Sequence, residues 1–349
     1  MIAGSKIESI GVRLPEKSVA TSDIINRLRV SKPIRLELLT GIAKRRVCSE
    51  NEDSLTLAVD AVHDCLNHSK FEAKDIEMII CCSISRFVNG LNHYYEPPLS
   101  LLIKQKSGCI NAVSLDISNA CAGMMTGAYI ANNFISRGVV TNCLVVSGEF
   151  ITSISNNAEQ RVDSPKHLEL ASLTVGDAGA AVILSQTENI EDCFSAFEMV
   201  TLSQYSDLCL GNQSTSFPGA VMRTCIKKIH EVSILNAPPL IENALKLAGL
   251  RMNQIDFLIP HQTAKASIQS GAKHFAQYFG EEPGEIVINL DETGNTASTT
   301  HFTTLCKYLN ENRLKEGNKI MLVSFASGLV IGIAVFTIHD LVKKYGNNH

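Results

Sequence analysis

Cys121 lies in the run Asp-Ile-Ser-Asn-Ala-Cys-Ala-Gly at 116–123. Residues 112–117 alternate and are partly β-branched, which predicts a strand. Residues 122–135 carry Ala, Met and small residues at helical spacing, which predicts a buried helix. A cysteine at such a junction has unpaired backbone N–H groups and the positive end of a helix dipole beside it. Both favour thiolate, the nucleophilic form. Two other segments carry groups suited to act on a substrate: a histidine straight after an apolar strand, in Pro260-His261-Gln262, and an amide in Gly294-Asn295-Thr296. Taken singly, such a His reads as a core or capping residue and such an Asn as a turn or helix cap. Their placement gives them another meaning.

The elements that must position these groups recur. In the first half a helix over 54–67 is followed by strands over 75–83 and 111–116, the Cys121 helix, and strands over 142–148 and 176–184. The second half has a helix over 239–248, strands over 254–260 and 285–290, a helix opening at Gly294 and running towards Leu309, and strands over 318–324 and 332–338. The order is the same, which is the signature of an internal repeat. Strand–helix–strand alternation predicts right-handed crossovers and mainly parallel sheets covered by helices. The expected fold class is α/β, with two pseudo-symmetric halves in an α/β/α/β/α arrangement. Residues 1–185 form the half with the nucleophilic cysteine, and 186–349 the half with the histidine and asparagine. The start of the second helix, at Asn295, is read as the counterpart of Cys121. The repeat then brings Cys121, His261 and Asn295 to one crevice at the carboxyl ends of strands, where α/β proteins place ligands.

Composition narrows the class. The chain has 349 residues, 45% of them hydrophobic and 19% charged, so it is globular and long enough for two halves. A net charge of −4 argues against nucleic-acid binding by electrostatics. The N-terminal residues 1–15 read as a strand rather than a signal peptide, and no apolar run has membrane-spanning length. Eleven cysteines, odd in number and without a C-x-x-C pair, suggest neither a disulfide framework nor a zinc site. A cytoplasmic protein is expected, with no metal or cofactor.

The segments resemble β-ketoacyl-acyl-carrier-protein synthase III and its relatives in the thiolase superfamily, over nearly the whole chain. The resemblance rests on Thr40-Gly-Ile-Ala-Lys-Arg-Arg46, the Cys121 motif, Gly176-Asp-Ala-Gly-Ala-Ala181, Pro260-His-Gln262, Gly294-Asn-Thr296 and Ser324-Phe-Ala-Ser-Gly-Leu329. It implies a thiolase fold and an acyltransferase of the ketosynthase kind. Cys121 takes an acyl group from a thioester on coenzyme A or acyl carrier protein. The backbone N–H groups of Cys121 and Ser327 form an oxyanion hole. His261 and Asn295 donate to the carbonyl oxygen of a malonyl- or β-ketoacyl-thioester as it becomes an enolate, and a Claisen condensation follows. The resemblance also implies a homodimer.

Departures from the pattern point to a specialised-metabolism, polyketide-type branch in which ring closure could follow condensation. The positions that clamp adenine in the family appear as Arg35 and Leu39, and the chain has no Trp. Ala266 replaces the basic residue that faces the carrier protein, leaving Lys265 or Lys273 to dock it. The stretch 86–100 is longer than usual, which suggests a reshaped acyl pocket. Glu149 stands where plant-type synthases carry a strand-end glutamate. If buried, its pKa rises and it becomes a candidate auxiliary acid/base. Two competing readings are acyl transfer to an alcohol or amine on the same scaffold, and a catalytically silent partner of a ketosynthase heterodimer.

Overall fold

The structure is a computed structural model that describes residues 4–30 and 34–346. Residues 1–3 of the expected N-terminal strand lie outside that range. Strands β1 (Gly4–Arg13), β2 (Met78–Cys81), β3 (Val113–Asp116), β4 (Asn142–Glu149) and β5 (Ala178–Thr187) form one five-stranded sheet in the order β1-β5-β4-β2-β3. Strands β6 (Ala196–Thr201), β7 (Phe257–Pro260), β8 (Glu285–Ile286), β9 (Lys319–Ala326) and β10 (Val330–Thr337) form a second, in the order β6-β10-β9-β7-β8. The two orders are the same list advanced by one half of the chain.

Pairing directions repeat as well. In the first sheet β1–β5 and β5–β4 are antiparallel, while β4–β2 and β2–β3 are parallel. In the second, β6–β10 and β10–β9 are antiparallel, while β9–β7 and β7–β8 are parallel. The expectation of mainly parallel sheets is therefore corrected to evenly mixed ones. The first strand of each half returns along the sheet edge next to the last, and such a neighbour can be antiparallel without a crossover helix.

Helices sort into three layers. Helices α1 (Ser54–Asn67) and α2 (Leu99–Ser107) cover the outer face of the first sheet through Leu55, Ala58, Val62, Leu99 and Ile103. Helices α4 (Ile226–Ala248) and α5 (Lys265–Phe279) cover the second through Ala237, Ile241, Leu245 and Phe275. Between the sheets lie α3 (Gly123–Ser136) and α6 (Thr300–Asn310). They share one core in which Met124, Met125, Ala128 and Ile135 meet Phe302, Leu305 and Leu309. That is an α/β/α/β/α stack, and Cys121 and Asn295 lie just before the two helices of its central layer.

Three elements differ from expectation. Helix α4 starts thirteen residues before Pro239, and Pro238 and Pro239 sit inside it. Proline favours a first turn, but burial of Ala237, Pro238, Ile241 and Ala244 against the sheet outweighs the missing N–H bonds. The strand expected over 285–290 is reduced to Glu285–Ile286. Beyond it the Gln262 side chain replaces a strand partner: its amide donates to the Pro260 and Val287 carbonyls, at 2.8 and 3.0 Å, and its oxygen accepts from Asn289 N–H at 2.7 Å. Strand β6 and the hairpin Cys209–Gln213/Ala220–Thr224 were not expected at all.

Candidate active site

Cys121 is in a short 3₁₀ turn, Ala120–Ala122, that leads into α3. Ala120 takes the left-handed conformation at φ 46°, a costly state for a residue with a Cβ. The only other left-handed alanine among the described residues is Ala297, at φ 54°, in the turn Ala297–Thr299 that leads into α6. The counterpart of Cys121 is therefore Ser298, and Asn295 lies before the turn rather than at the helix start. The Gly-Asn-Thr string is therefore not the helix opening: Gly294 is left-handed at φ 67°, and Asn295 forms an isolated bridge to Val175, across the molecule. Gly123 is required by close approach: a Cβ there would stand 2.8 Å from the Cys82 carbonyl oxygen.

Asn295 is held by two backbone bonds to the first half. Its N–H donates to the Thr174 carbonyl at 2.9 Å and its carbonyl accepts from Gly176 N–H at 3.0 Å. A Cβ on Gly176 would lie 1.9 Å from the Thr293 carbonyl oxygen, so glycine is what lets the two segments meet. The adjacent 3₁₀ turn is anchored by Arg45, whose fully buried guanidinium donates to the Leu173 carbonyl and the Thr21 hydroxyl. Burial lowers the Arg45 pKa to about 10. The Asn295 side-chain oxygen accepts from Ala297 N–H at 3.0 Å, which fixes the amide and leaves both Nδ2 hydrogens for the cavity.

His261 follows β7 directly, and its N–H continues the ladder by donating to the Val323 carbonyl at 2.8 Å. The same carbonyl lies 3.1 Å from Nε2 of His301, on α6. The two imidazoles pack at a centroid distance of 6.0 Å. Burial lowers the His261 pKa to about 3, with His301 adding to the effect, and burial lowers His301 to about 4. Both rings are neutral at physiological pH. His261 Nδ1 is buried with no partner among the described residues. Placing the ring hydrogen on Nε2 avoids a buried donor without an acceptor, the rarer of the two orphans in folded proteins. Nothing in the spacing of the sequence had singled out His301.

Cys121, His261, Asn295 and Ser327 line one cavity of about 630 Å³. Ser327 belongs to the turn between β9 and β10. Cys121 packs against an apolar cluster of Ala122, Ala326 and Val330, of which Ala326 also lines the cavity. Burial consequently pushes the Cys121 thiol well above the ordinary cysteine value, and the neighbouring Cys209 and Glu149 push it the same way. Desolvation therefore opposes the helix end, which favours the thiolate. At the surface, the exposed Leu39, Lys166, Ile226 and Lys227 mark the mouth of the cavity. The two lysines are additions that no spacing in the sequence revealed.

The remaining candidates lie elsewhere. Glu149 is fully buried, does not line the cavity, and has both oxygens engaged. It accepts from Ile84 N–H, Ser85 N–H and the hydroxyls of Ser85, Ser147 and Ser298, at 2.5 to 3.1 Å. Burial raises its pKa against those bonds. The geometry is that of an anchor between the halves. Lys265 and Lys273 are exposed on α5, outside the cavity wall. Arg35 and the stretch 86–100 do not line the cavity of this chain, whereas Leu39 does. Among the described residues no group of His, Cys, Asp and Glu side chains could hold a metal ion.

Comparison with known proteins agrees with this architecture. The model of 3-oxoacyl-(acyl-carrier-protein) synthase III matches residues 115–202, and the model of its C-terminal part matches 245–338. The β-ketoacyl-(acyl-carrier-protein) synthase III of Symbiobacterium thermophilum is 26% identical over 337 residues, covering 93% of this chain and 96% of that protein. The enzyme of the same name from Deinococcus deserti is 26% identical over 341 residues, covering 93% and 88%. Among solved structures, OleA from Xanthomonas campestris with bound lauric acid and lauroyl-CoA superposes with a TM-score of 0.85 at 23% identity, covering 97% of this chain and all of that one. The 3-oxoacyl-(acyl-carrier-protein) synthase III of Aquifex aeolicus superposes at 0.81 with 20% identity, covering 96% and 100%. The two family models together span more than half of the sequence, and the chain belongs to the 3-oxoacyl-(acyl-carrier-protein) synthase III family, with its thiolase fold.

Proposed function

We propose that the protein is a ketosynthase that joins two acyl thioesters by Claisen condensation. The observation that carries this reading is the convergence, on one cavity, of a thiol with two neutral donors of different kinds. An acyl thioester enters past Lys166 and Lys227. Cys121 loses its proton as it attacks the carbonyl, the N–H groups of Cys121 and Ser327 receive the oxyanion, and the carrier sulfur leaves with the proton as a free thiol. A malonyl- or β-ketoacyl-thioester then follows. Its thioester oxygen accepts from His261 Nε2–H and Asn295 Nδ2–H as the enolate forms. With a malonyl unit the enolate forms by loss of CO2, and with a β-ketoacyl unit by loss of its acidic α-proton to solvent. The enolate carbon attacks the acyl group, and the Cys121 sulfur departs and regains a proton.

Neutral donors suit this step. The His261 pKa of about 3 keeps the ring uncharged, so it stabilises the enolate without quenching it by proton transfer. Acyl transfer to an alcohol or amine calls for a general base poised near neutrality, which a ring with that pKa is not.

Thioesters on coenzyme A or acyl carrier protein are the substrates in this reading: acyl carrier protein stands in the names of the relatives, and the similar OleA structure holds lauroyl-CoA. A homodimer is part of it: β3 is an edge strand with Val113 62% exposed, beside exposed Ile110. Such an edge pairs readily with a second copy. The described cysteines are unpaired, as a reducing cytoplasm keeps them. Among the described residues no helix is long and apolar enough to cross a membrane. The test is to incubate the protein with a panel of acyl thioesters, measure the Cys121 adduct by intact-protein mass spectrometry, and add a malonyl-thioester. Adduct loss with CO2 release and a β-keto product supports the proposal. Hydrolysis, ester formation, or turnover by Cys121→Ala refutes it.

A further inference from the structure

The cavity does not end at the reacting groups. It continues between α4 and α5, where Ile229, Ser233 and Ile234 face Ile268, Gly271 and Phe275. Leu258 and Ile286, on strands β7 and β8, also line it. This branch is apolar and held open by small residues. Gly271 is the informative one. It is a glycine inside a fifteen-residue helix, a position where glycine is less favourable than alanine. Close packing does not demand it: an added Cβ would meet only the Ile234 side chain, at 3.7 Å, an ordinary contact. Its φ lies outside the left-handed range, so the backbone does not demand it either. What a larger residue would do is project into the slot. On the opposite wall, Ser233 is buried with its hydroxyl unpartnered among the described residues, another small residue kept where a larger apolar one would pack.

We propose that this slot receives the alkyl tail of a long-chain acyl thioester that loads Cys121, and that Gly271 and Ser233 set how long a tail is accepted. The inference rests on the ketosynthase reading and names its substrate class. Each methylene removed from the slot lowers loading by about fourfold, and blocking three lowers it roughly 50-fold.

The experiment compares Cys121 acylation by acetyl-, butanoyl-, dodecanoyl- and hexadecanoyl-coenzyme A, measured as adduct mass against time. The proteins are the native chain, Gly271→Leu and Ser233→Leu. The native chain is expected to load dodecanoyl or hexadecanoyl fastest. Either variant is expected to lose about 50-fold on those two substrates while keeping its acetyl rate, which also reports an intact fold. Gly271→Ala, which adds only an ordinary contact, should stay close to native. The slot is refuted if both variants load all four chains with the native profile, or if the native chain accepts only the two short ones. Failure of every thioester to acylate Cys121 would instead refute the ketosynthase reading itself.

Discussion

Asn295→Asp separates the two half-reactions. The substitution keeps the shape of the side chain and the oxygen that accepts from Ala297 N–H at 3.0 Å, so the local turn is retained. It removes the two Nδ2 hydrogens that the fold leaves for the cavity and puts a carboxylate oxygen in their place. Loss of one preorganised donor to an oxyanion costs about 2.7–4 kcal/mol, or 10²–10³ in rate, and a negative charge beside a forming enolate can only add to that. Loading uses a different oxyanion site, at the N–H groups of Cys121 and Ser327, and should proceed at the native rate. The acyl-enzyme should accumulate. The assay is a single-turnover experiment in which the Cys121 adduct is followed by mass after an acyl thioester is added, then after a malonyl-thioester. The argument is refuted if the variant condenses at the native rate. It is also refuted if loading and condensation fall together, because Asn295 would then serve the first step.

Three further outcomes follow from the geometry. The Cys121 thiol is pushed above the ordinary cysteine range by burial, so its alkylation by iodoacetamide should climb about tenfold per pH unit from pH 7 to 9 without a plateau, and a plateau below pH 8 contradicts the assignment. His301 has a pKa lowered from 6.5 to about 4 in the fold, so the unfolded chain takes up a proton there that the folded chain refuses. The stability this supports is complete above pH 6.5 and is lost as pH falls towards 4. In urea titrations, His301→Gln should reduce the acid slope between those values by about 1.4 kcal/mol per pH unit, and an unchanged slope excludes the buried neutral ring. Gly176→Ala places a methyl 1.9 Å from the Thr293 oxygen and should destabilise by about 1–3 kcal/mol, read as a lower urea midpoint; a midpoint unchanged from native would show that the approach relaxes freely.

The repeat and the three side chains that meet in the cavity were legible in the sequence because each is announced locally. Helix Ser54–Asn67 has its cap at Asp53 and its apolar stripe, and β4 holds the apolar run Cys143–Val146. His261 and Asn295 stand beside motifs that the family shares. What was not legible depends on contacts between distant segments. No local pattern shows that Gln262 will end a strand by bonding to Val287 and Asn289, or that burial will oppose the helix end at Cys121. Pro238 and Pro239 misled for a similar reason: their cost is local, while the burial that offsets it comes from another part of the chain. Glu149 was noticed from its place at a strand end, yet its environment depends on Ser298, on the opposite half.

Ser298 gives that pairing a wider meaning. The turn holding it repeats the backbone of the Cys121 turn, left-handed alanine included, but ends in a hydroxyl latched to Ser147 and Glu149. The two turns stand back to back, close enough that a methyl on Gly123 would touch Ser298. One turn presents a thiol to the cavity while its repeat is fastened by its hydroxyl, so the fastened turn braces the open one from behind, and a change in one half is felt as misalignment in the other.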